Sequence, residues 1–190
     1  MADILIAYDT EEGQTAAVSR QVAEGFRERG HAVDLVELGR SDPAVDGTDA
    51  VIVGGSVHYG QHGRALRSFL ESNREQLQGR PTAFFQLSMS SAVDDRVRRS
   101  EAAAYVDELL EQTGFEPDRI AKFGGALRYS KYGFLKRLMM KRIARKATGD
   151  TDIRRDYEYT DWDEVDAFAA DVAAFVEGRV RAARPDPESA

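Results

Sequence analysis

The chain reads as an α/β protein, a five-stranded parallel sheet doubly wound by helices. Three observations lead there. Short apolar runs rich in β-branched residues recur between longer stretches with helical spacing. The first of these runs is apolar without alternation, as a strand covered on both faces must be. Glycine also follows several helical stretches at the position where a left-handed C-terminal residue belongs. Strands separated by helices pair in parallel through right-handed crossovers.

The first strand is Asp3–Tyr8, with Ile4, Leu5, Ile6 and Ala7 at its centre. A helix follows over Thr15–Arg29, where Val18, Val22 and Phe26 share one face, and Gly30 ends it. The second and third strands are expected at Ala32–Leu38 and Ala50–Gly54. A helix at Arg64–Leu77 runs up to Gly79, and the fourth strand is Thr82–Leu87. The helix Glu101–Gln112 precedes Gly114, and the fifth strand is Ile120–Leu127. The last helix, Asp163–Glu177, carries Val165, Phe168, Ala169, Val172, Phe175 and Val176 on one stripe. Asp161 and Glu164 form a capping pair before it, and Gly178 is expected to close it. Residues 1–179 then make one domain, with a basic helical insertion at about 128–150. Residues 180–190, with Pro185 and Pro187, form a disordered tail.

Composition removes several function classes. The chain has 190 residues and no cysteine, so disulfides, thiolate nucleophiles and cysteine-ligated metal or iron–sulfur centres are excluded. The histidines, His31, His58 and His62, lack metal-ligand spacing on a common helix face, and no metal is expected. No run approaches the ~20 apolar residues of a membrane span. No basic, then apolar, leader opens the chain, which predicts a cytoplasmic protein. The net charge of −7 is unevenly spread, because Arg128, Lys131, Lys136, Arg137, Lys141, Arg142, Arg145 and Lys146 fall in one acid-free stretch. An acidic surface poor in lysine suits a halophilic host, although a GC-rich genome also replaces Lys by Arg.

In a doubly wound sheet, ligands bind beyond the carboxyl ends of the strands at the topological switch point. The loops after strands one, three and four then form the site. The first, Thr10-Glu-Glu-Gly-Gln-Thr15, opens a helix whose first N–H groups and dipole favour an anion. Gly13 lets the backbone approach closely, and Thr10 and Thr15 add hydroxyls. With no Lys or Arg, this is not a Walker-type loop; it is a phosphate cradle of amides and hydroxyls. The other loops are Ser56-Val57-His58-Tyr59-Gly60 and Ser88-Met89-Ser90-Ser91. They suit a flat heterocycle whose phosphate lies in the first loop.

These motifs resemble those of flavodoxin-like FMN domains, in which Thr-x-x-Gly-x-Thr occupies the first strand–helix turn. In detail the chain is most similar to the flavodoxin-type, menaquinone-dependent protoporphyrinogen IX dehydrogenases. The likeness rests on Asp9–Thr15, Gly54–His62, Gly125–Tyr129, Gly149–Asp152 and Tyr159–Trp162, and on the basic segment after the fifth strand. It spans about residues 3 to 178. The resemblance implies that Thr10, Glu12, Gly13, Gln14 and Thr15 hold the FMN phosphate. Ser56, Val57, His58, Tyr59 and Gly60, together with Ser88, Met89, Ser90 and Ser91, would border the isoalloxazine. It further implies a flavin that takes hydrogen from protoporphyrinogen IX in haem synthesis and reduces a quinone, three times per macrocycle. Bacterial members carry Arg at the position of His58, so a fixed cation is replaced here by a titratable one.

Tyr59 is expected to flank the flavin, and Gly60 to turn its peptide so that a carbonyl accepts from reduced N5–H. His58 and His62 are either proton donors or solvated loop residues, and no catalytic base is assigned. Trp162 is expected to pack at the start of the last helix. In the basic segment Leu135, Leu138, Met139 and Ile143 recur at helical spacing, as in an interfacial helix resting on anionic lipid. A solvated cap and a dock for an acidic protein are the competing readings. Nucleic acid is not an expected partner, because the rest of the surface is acidic. Two other functions stay open: an electron carrier between proteins, and a non-enzymatic flavin-binding protein that docks through 128–146.

Overall fold

A computed structural model of the chain describes residues 1–92, 96–128, 140, 141, 145, 152 and 154–183. Five parallel strands form the sheet: β1 (Asp3–Tyr8), β2 (Ala32–Glu37), β3 (Ala50–His58), β5 (Thr82–Ser88) and β6 (Arg119–Gly124). Their order is β2-β1-β3-β5-β6. The chain winds outward from β1 to β2 and then crosses back to β3 on the other side of β1. That reversal opens a crevice above β1 and β3. A short strand, β4 (Gln61–His62), folds back antiparallel onto the end of β3. A separate two-stranded ribbon joins β7 (Ala126–Leu127) to β8 (Tyr157–Glu158).

Side chains alternate along each strand and so divide the core in two. Ile4, Ile6, Ile52 and Phe85 face α1 (Gln14–Glu28) and α5 (Trp162–Ala183), meeting Val18, Val22, Phe26, Val165 and Val172. Leu5, Ala7, Val51, Val53 and Phe84 face the opposite layer of α2 (Arg64–Ser72), α3 (Arg74–Gln78) and α4 (Arg96–Thr113). Leu66, Leu70, Leu77 and Leu109 fill that second half and are completely or almost completely buried. Both helical layers are needed, because the central strands have no hydrophilic face to leave in water.

The five sheet strands fall where periodicity places them, and the differences have local causes. The helix expected over Arg64–Leu77 breaks at Asn73, whose side chain donates to the Phe69 carbonyl (2.9 Å) in competition with the helix ladder. The fifth strand stops at Gly124: the Gly125 N–H makes a last ladder bond to the Ser88 carbonyl of β5 (3.0 Å), while the Gly125 carbonyl accepts from Tyr159 (3.0 Å) instead. Helix α4 starts five residues before the expected Glu101. Helix α5 passes through Gly178 and takes in Val180–Ala183 of the expected tail, and Gly79 sits at φ −83, outside the left-handed region. Phe175 leaves the buried stripe and lies under the Arg119 guanidinium (4.3 Å), while Ala173 fills the core position. Asp161 caps α5 as expected, accepting from the N–H groups of Asp163 (3.0 Å) and Glu164 (3.3 Å). Trp162 packs on the core edge and donates to Glu158 (2.9 Å). Most of the basic insertion, including Leu135, Leu138, Met139 and Ile143, and the tail beyond Ala183 lie outside the described residues.

Gly54 lies beside Phe85 on the neighbouring strand, and a Cβ there would strike the Phe85 ring. Phe85 is itself held by Phe123 and Phe168, with ring centroids 6.1 and 6.2 Å away. Gly54→Ala is therefore expected to lower stability by ~1–3 kcal/mol through overpacking. Urea unfolding measures this as a lower midpoint at unchanged slope.

Candidate functional site

The carboxyl ends of β1, β3 and β5 converge on one cavity of about 340 Å³. Its polar end is the start of α1. Gly13, at φ 94 and ψ −3, turns the chain into the helix and leaves the first turn without a side-chain cap or an acidic residue. A side chain at that φ would be strained, so glycine is required there. Thr10 Oγ1 accepts from the Gly13 N–H (3.0 Å), which holds the loop closed on itself. Thr15 lines the cavity, and its hydroxyl oxygen is buried without a hydrogen-bond partner among the described residues. A buried hydroxyl beside uncapped amides suits a small oxyanion, which would satisfy all of them at once.

Most residues expected around the ligand do meet here. Thr10, Glu12, Gln14, Thr15, Ser56, Val57, His58, Tyr59, Gly60, Ser88, Met89 and Ser90 line the cavity. Gly13 and Ser91 stand behind it as supports. Ser91 donates its N–H to Ser88 Oγ (3.1 Å), and the two hydroxyls are 2.8 Å apart. Ser56, Val57 and His58 belong to the end of β3 rather than to a loop, because β3 continues into a hairpin with β4. In that hairpin His58 pairs with Gln61, and Tyr59 and Gly60 form the two-residue turn at φ 52 and φ 80. Positive φ at both positions is the type I′ pattern. Tyr59 is 68% exposed and is the one non-glycine residue with positive φ among those described. The strained turn thus presents an aromatic ring at the cavity mouth.

Sequence reasoning missed one wall. Arg98, Glu101 and Tyr105 lie along one face of α4 and line the cavity, together with Leu87, Gly125, Ala126 and Met140. Glu101 Oε2 accepts from Ser90 (3.0 Å) and from Arg98 (2.9 Å). The signal was helical spacing of polar residues, hidden because α4 begins earlier than its apolar pattern does.

The two site histidines part company. His58 Nδ1 pairs with Glu11 Oε2 (2.8 Å) and links the first loop to the hairpin. His62 is no solvated loop residue. It is buried edge-on against Phe84 (5.7 Å), away from the cavity lining. Burial pushes its imidazole down from the usual 6.5 to about 4, against the opposing influence of Gln86 and with some help from Arg67. At neutral pH it is uncharged. Asp9 directly follows β1 and reaches the start of α2, where the Leu66 N–H holds its carboxylate. Gly63 makes room, since a Cβ there would overlap the Asp9 carboxyl. Burial outweighs that bond and raises the Asp9 carboxyl above its ordinary value.

A cation does stand near the first loop, contributed from far along the chain. Arg128 donates to Gln14 Oε1 (2.6 Å) and to Glu158 Oε2 (3.0 Å). Gln14 Nε2 donates to Thr160 Oγ1 (2.9 Å), and Thr160 donates to the Gly124 carbonyl (2.8 Å). The Gln14 side chain is therefore a strut rather than a free ligand donor.

A flavodoxin-domain family profile matches residues 5–154. The chain is 31% identical over 170 residues to protoporphyrinogen IX dehydrogenase (quinone) of Escherichia coli K12, covering 89% of this chain and 93% of that one. It is 30% identical over 174 residues to the protein of that name from Leishmania major, covering 90% and 74%. Among solved structures, a short-chain flavodoxin associated with a bacterial microcompartment superposes with a TM-score of 0.57 at 14% identity, over 97% of this chain and all of that one. At that identity the superposition establishes the fold. Among the described residues no helix is long and apolar enough to cross a membrane, and no group of His, Asp or Glu could hold a metal ion.

Because folding keeps His62 neutral while the unfolded chain binds its proton below 6.5, stability is lost as pH falls from about 6.5 to about 4. The share assignable to His62 reaches ~3 kcal/mol at the bottom of that window. His62→Gln should flatten the slope. Urea titrations of both proteins across these pH values give the difference directly.

Proposed function

Since the chain belongs to the flavodoxin-domain family, we propose that it is an FMN-dependent dehydrogenase of protoporphyrinogen IX. Its electron acceptor is a quinone, with menaquinone the leading candidate. One observation carries the cofactor assignment: the start of α1, which has no side-chain cap, borders the cavity beside Thr15, whose buried hydroxyl has no hydrogen-bond partner among the described residues. The donors there match a terminal phosphate, and the remaining walls suit a flat ring. The substrate and acceptor are supported by relatives named protoporphyrinogen IX dehydrogenase (quinone) that align with about nine-tenths of the chain.

In this reading the Thr10 and Thr15 hydroxyls and the first amides of α1 hold the phosphate. Each hydrogen bond to a charged group contributes ~1.5–3 kcal/mol, so several retain the cofactor without a lysine in the loop. Ser56, Val57 and the Tyr59–Gly60 turn border one side of the ring, and Ser88, Met89 and Ser90 the other. A flavin held there supplies two-electron acceptance from the porphyrinogen and donation to the quinone, in three rounds per macrocycle. Tyr59, standing at the mouth, covers the exposed edge of the site and limits water. Met89, Met140, Ala126 and Tyr105 add apolar surface suited to a large, flat substrate. His58 and Glu11 bridge the first loop and the hairpin, tying the phosphate end to the ring end.

Membrane contact through 128–146 is part of the proposal, since a quinone partitions into lipid. Its arginines and lysines beyond Arg128 would rest on anionic headgroups.

The test is anaerobic. Flavin absorbance of the purified protein should bleach on adding protoporphyrinogen IX and return on adding a menaquinone analogue. Bleaching by a protein reductase, with no response to the porphyrinogen, would favour an electron carrier instead. Gly13→Asp, which places a carboxylate in the cradle, should abolish FMN retention; a variant as yellow as the parent refutes the phosphate assignment.

A further inference from the structure

The site contains one long-range contact that the cofactor assignment does not require. Gln14, the first residue of α1, is 5% exposed, and its carboxamide is held at both ends. Its nitrogen is anchored through Thr160 to the end of β6, and its oxygen accepts from Arg128 at 2.6 Å. Arg128 follows β7 directly and shares its guanidinium with Glu158 on β8. Glu158 in turn accepts from Trp162 Nε1 (2.9 Å), at the start of α5. Residues more than a hundred positions apart in sequence thereby converge on the residue that begins the anion-binding turn.

We propose that Arg128 is a positioning residue of the phosphate cradle: by clamping Gln14 it fixes the first turn of α1 and so gives the site its preference for a phosphorylated flavin. This rests on the FMN reading above and adds to it. A helix terminus binds an anion well only when its free N–H groups are already aimed at one point, because realigning them on binding costs affinity. Gly13, the residue before Gln14, has the freest backbone in the loop, and no side chain caps the helix behind it. The Thr10 hydroxyl restrains the loop side of that junction, and the Gln14 carboxamide restrains the helix side. Arg128 is suited to the clamp because a guanidinium presents several donors in one plane and can hold Gln14 and Glu158 together. A lysine carries the charge without that fixed fork.

The experiment compares FMN with riboflavin, which lacks the phosphate and leaves the cradle unused. Full-length protein freed of flavin is titrated with each, following flavin fluorescence, for the parent, Arg128→Met and Arg128→Lys. Arg128→Met should bind FMN at least about tenfold more weakly, the equivalent of one charge-assisted hydrogen bond, with riboflavin affinity unchanged. Arg128→Lys should fall between the two. Unchanged riboflavin binding also shows that the variant is folded. Equal losses for both flavins, or an FMN-to-riboflavin ratio within about twofold of the parent's, would overturn the proposal and make Arg128 a fastener of the β7–β8 ribbon. A parent protein that binds FMN no better than riboflavin would remove the phosphate site itself. Preference in the parent that survives intact in Arg128→Met sinks only the role of Arg128.

Discussion

The N-terminus of α1 presents backbone donors with no side-chain cap among the described residues, and the candidate site is built around that deficit. The first turn has no acidic residue, and the neighbouring Thr15 hydroxyl is buried without a hydrogen-bond partner among the described residues. Unsatisfied buried donors are costly, and their cost falls once an anion is bound. The parallel sheet fixes where the deficit lies. Reversal of strand order between β1 and β3 splays the following loops apart and leaves a crevice directly beside the helix start.

Around that point the two halves of the cavity are held by different means. The polar half is held by hydrogen bonds that cross long sequence distances, through Gln14, Thr160, Arg128 and Glu158. The ring-sized half is held by backbone geometry. A two-residue hairpin turn forces Tyr59 to positive φ, which an aromatic side chain does not choose. Strain of this kind persists only where the surroundings overdetermine the conformation, and here β4 pairs back on β3 while His62 is buried beneath it. The buried imidazole packs the hairpin onto Phe84. Fold alone leaves the chemistry open, since this architecture supports many functions.

Much of the architecture could be read directly, because its signals are local. Unbroken apolar strands such as Ile4–Ala7 announce burial on both faces, and the stripe Val18, Val22, Phe26 announces a helix covering one of them. Strand ends in a doubly wound sheet are binding positions by topology, so three short segments could be nominated as the site before any contact was known. The misses share one cause. The Asn73 break and the β3–β4 hairpin depend on a single side-chain bond and on a Tyr-Gly turn without the usual Asn-Gly marker. The α4 wall of Arg98, Glu101 and Tyr105 carries no apolar periodicity by which to find it.

By itself, then, the sequence determined the sheet, its two helical layers and the position of the loop between β1 and α1, since each follows from burial and hydrogen bonding among residues close along the chain. Only the tertiary structure decided that Arg128 reaches Gln14, that His62 is neutral and buried, and that Tyr59 stands at the mouth. Those outcomes depend on which distant segments come into contact, and a linear pattern holds no record of that.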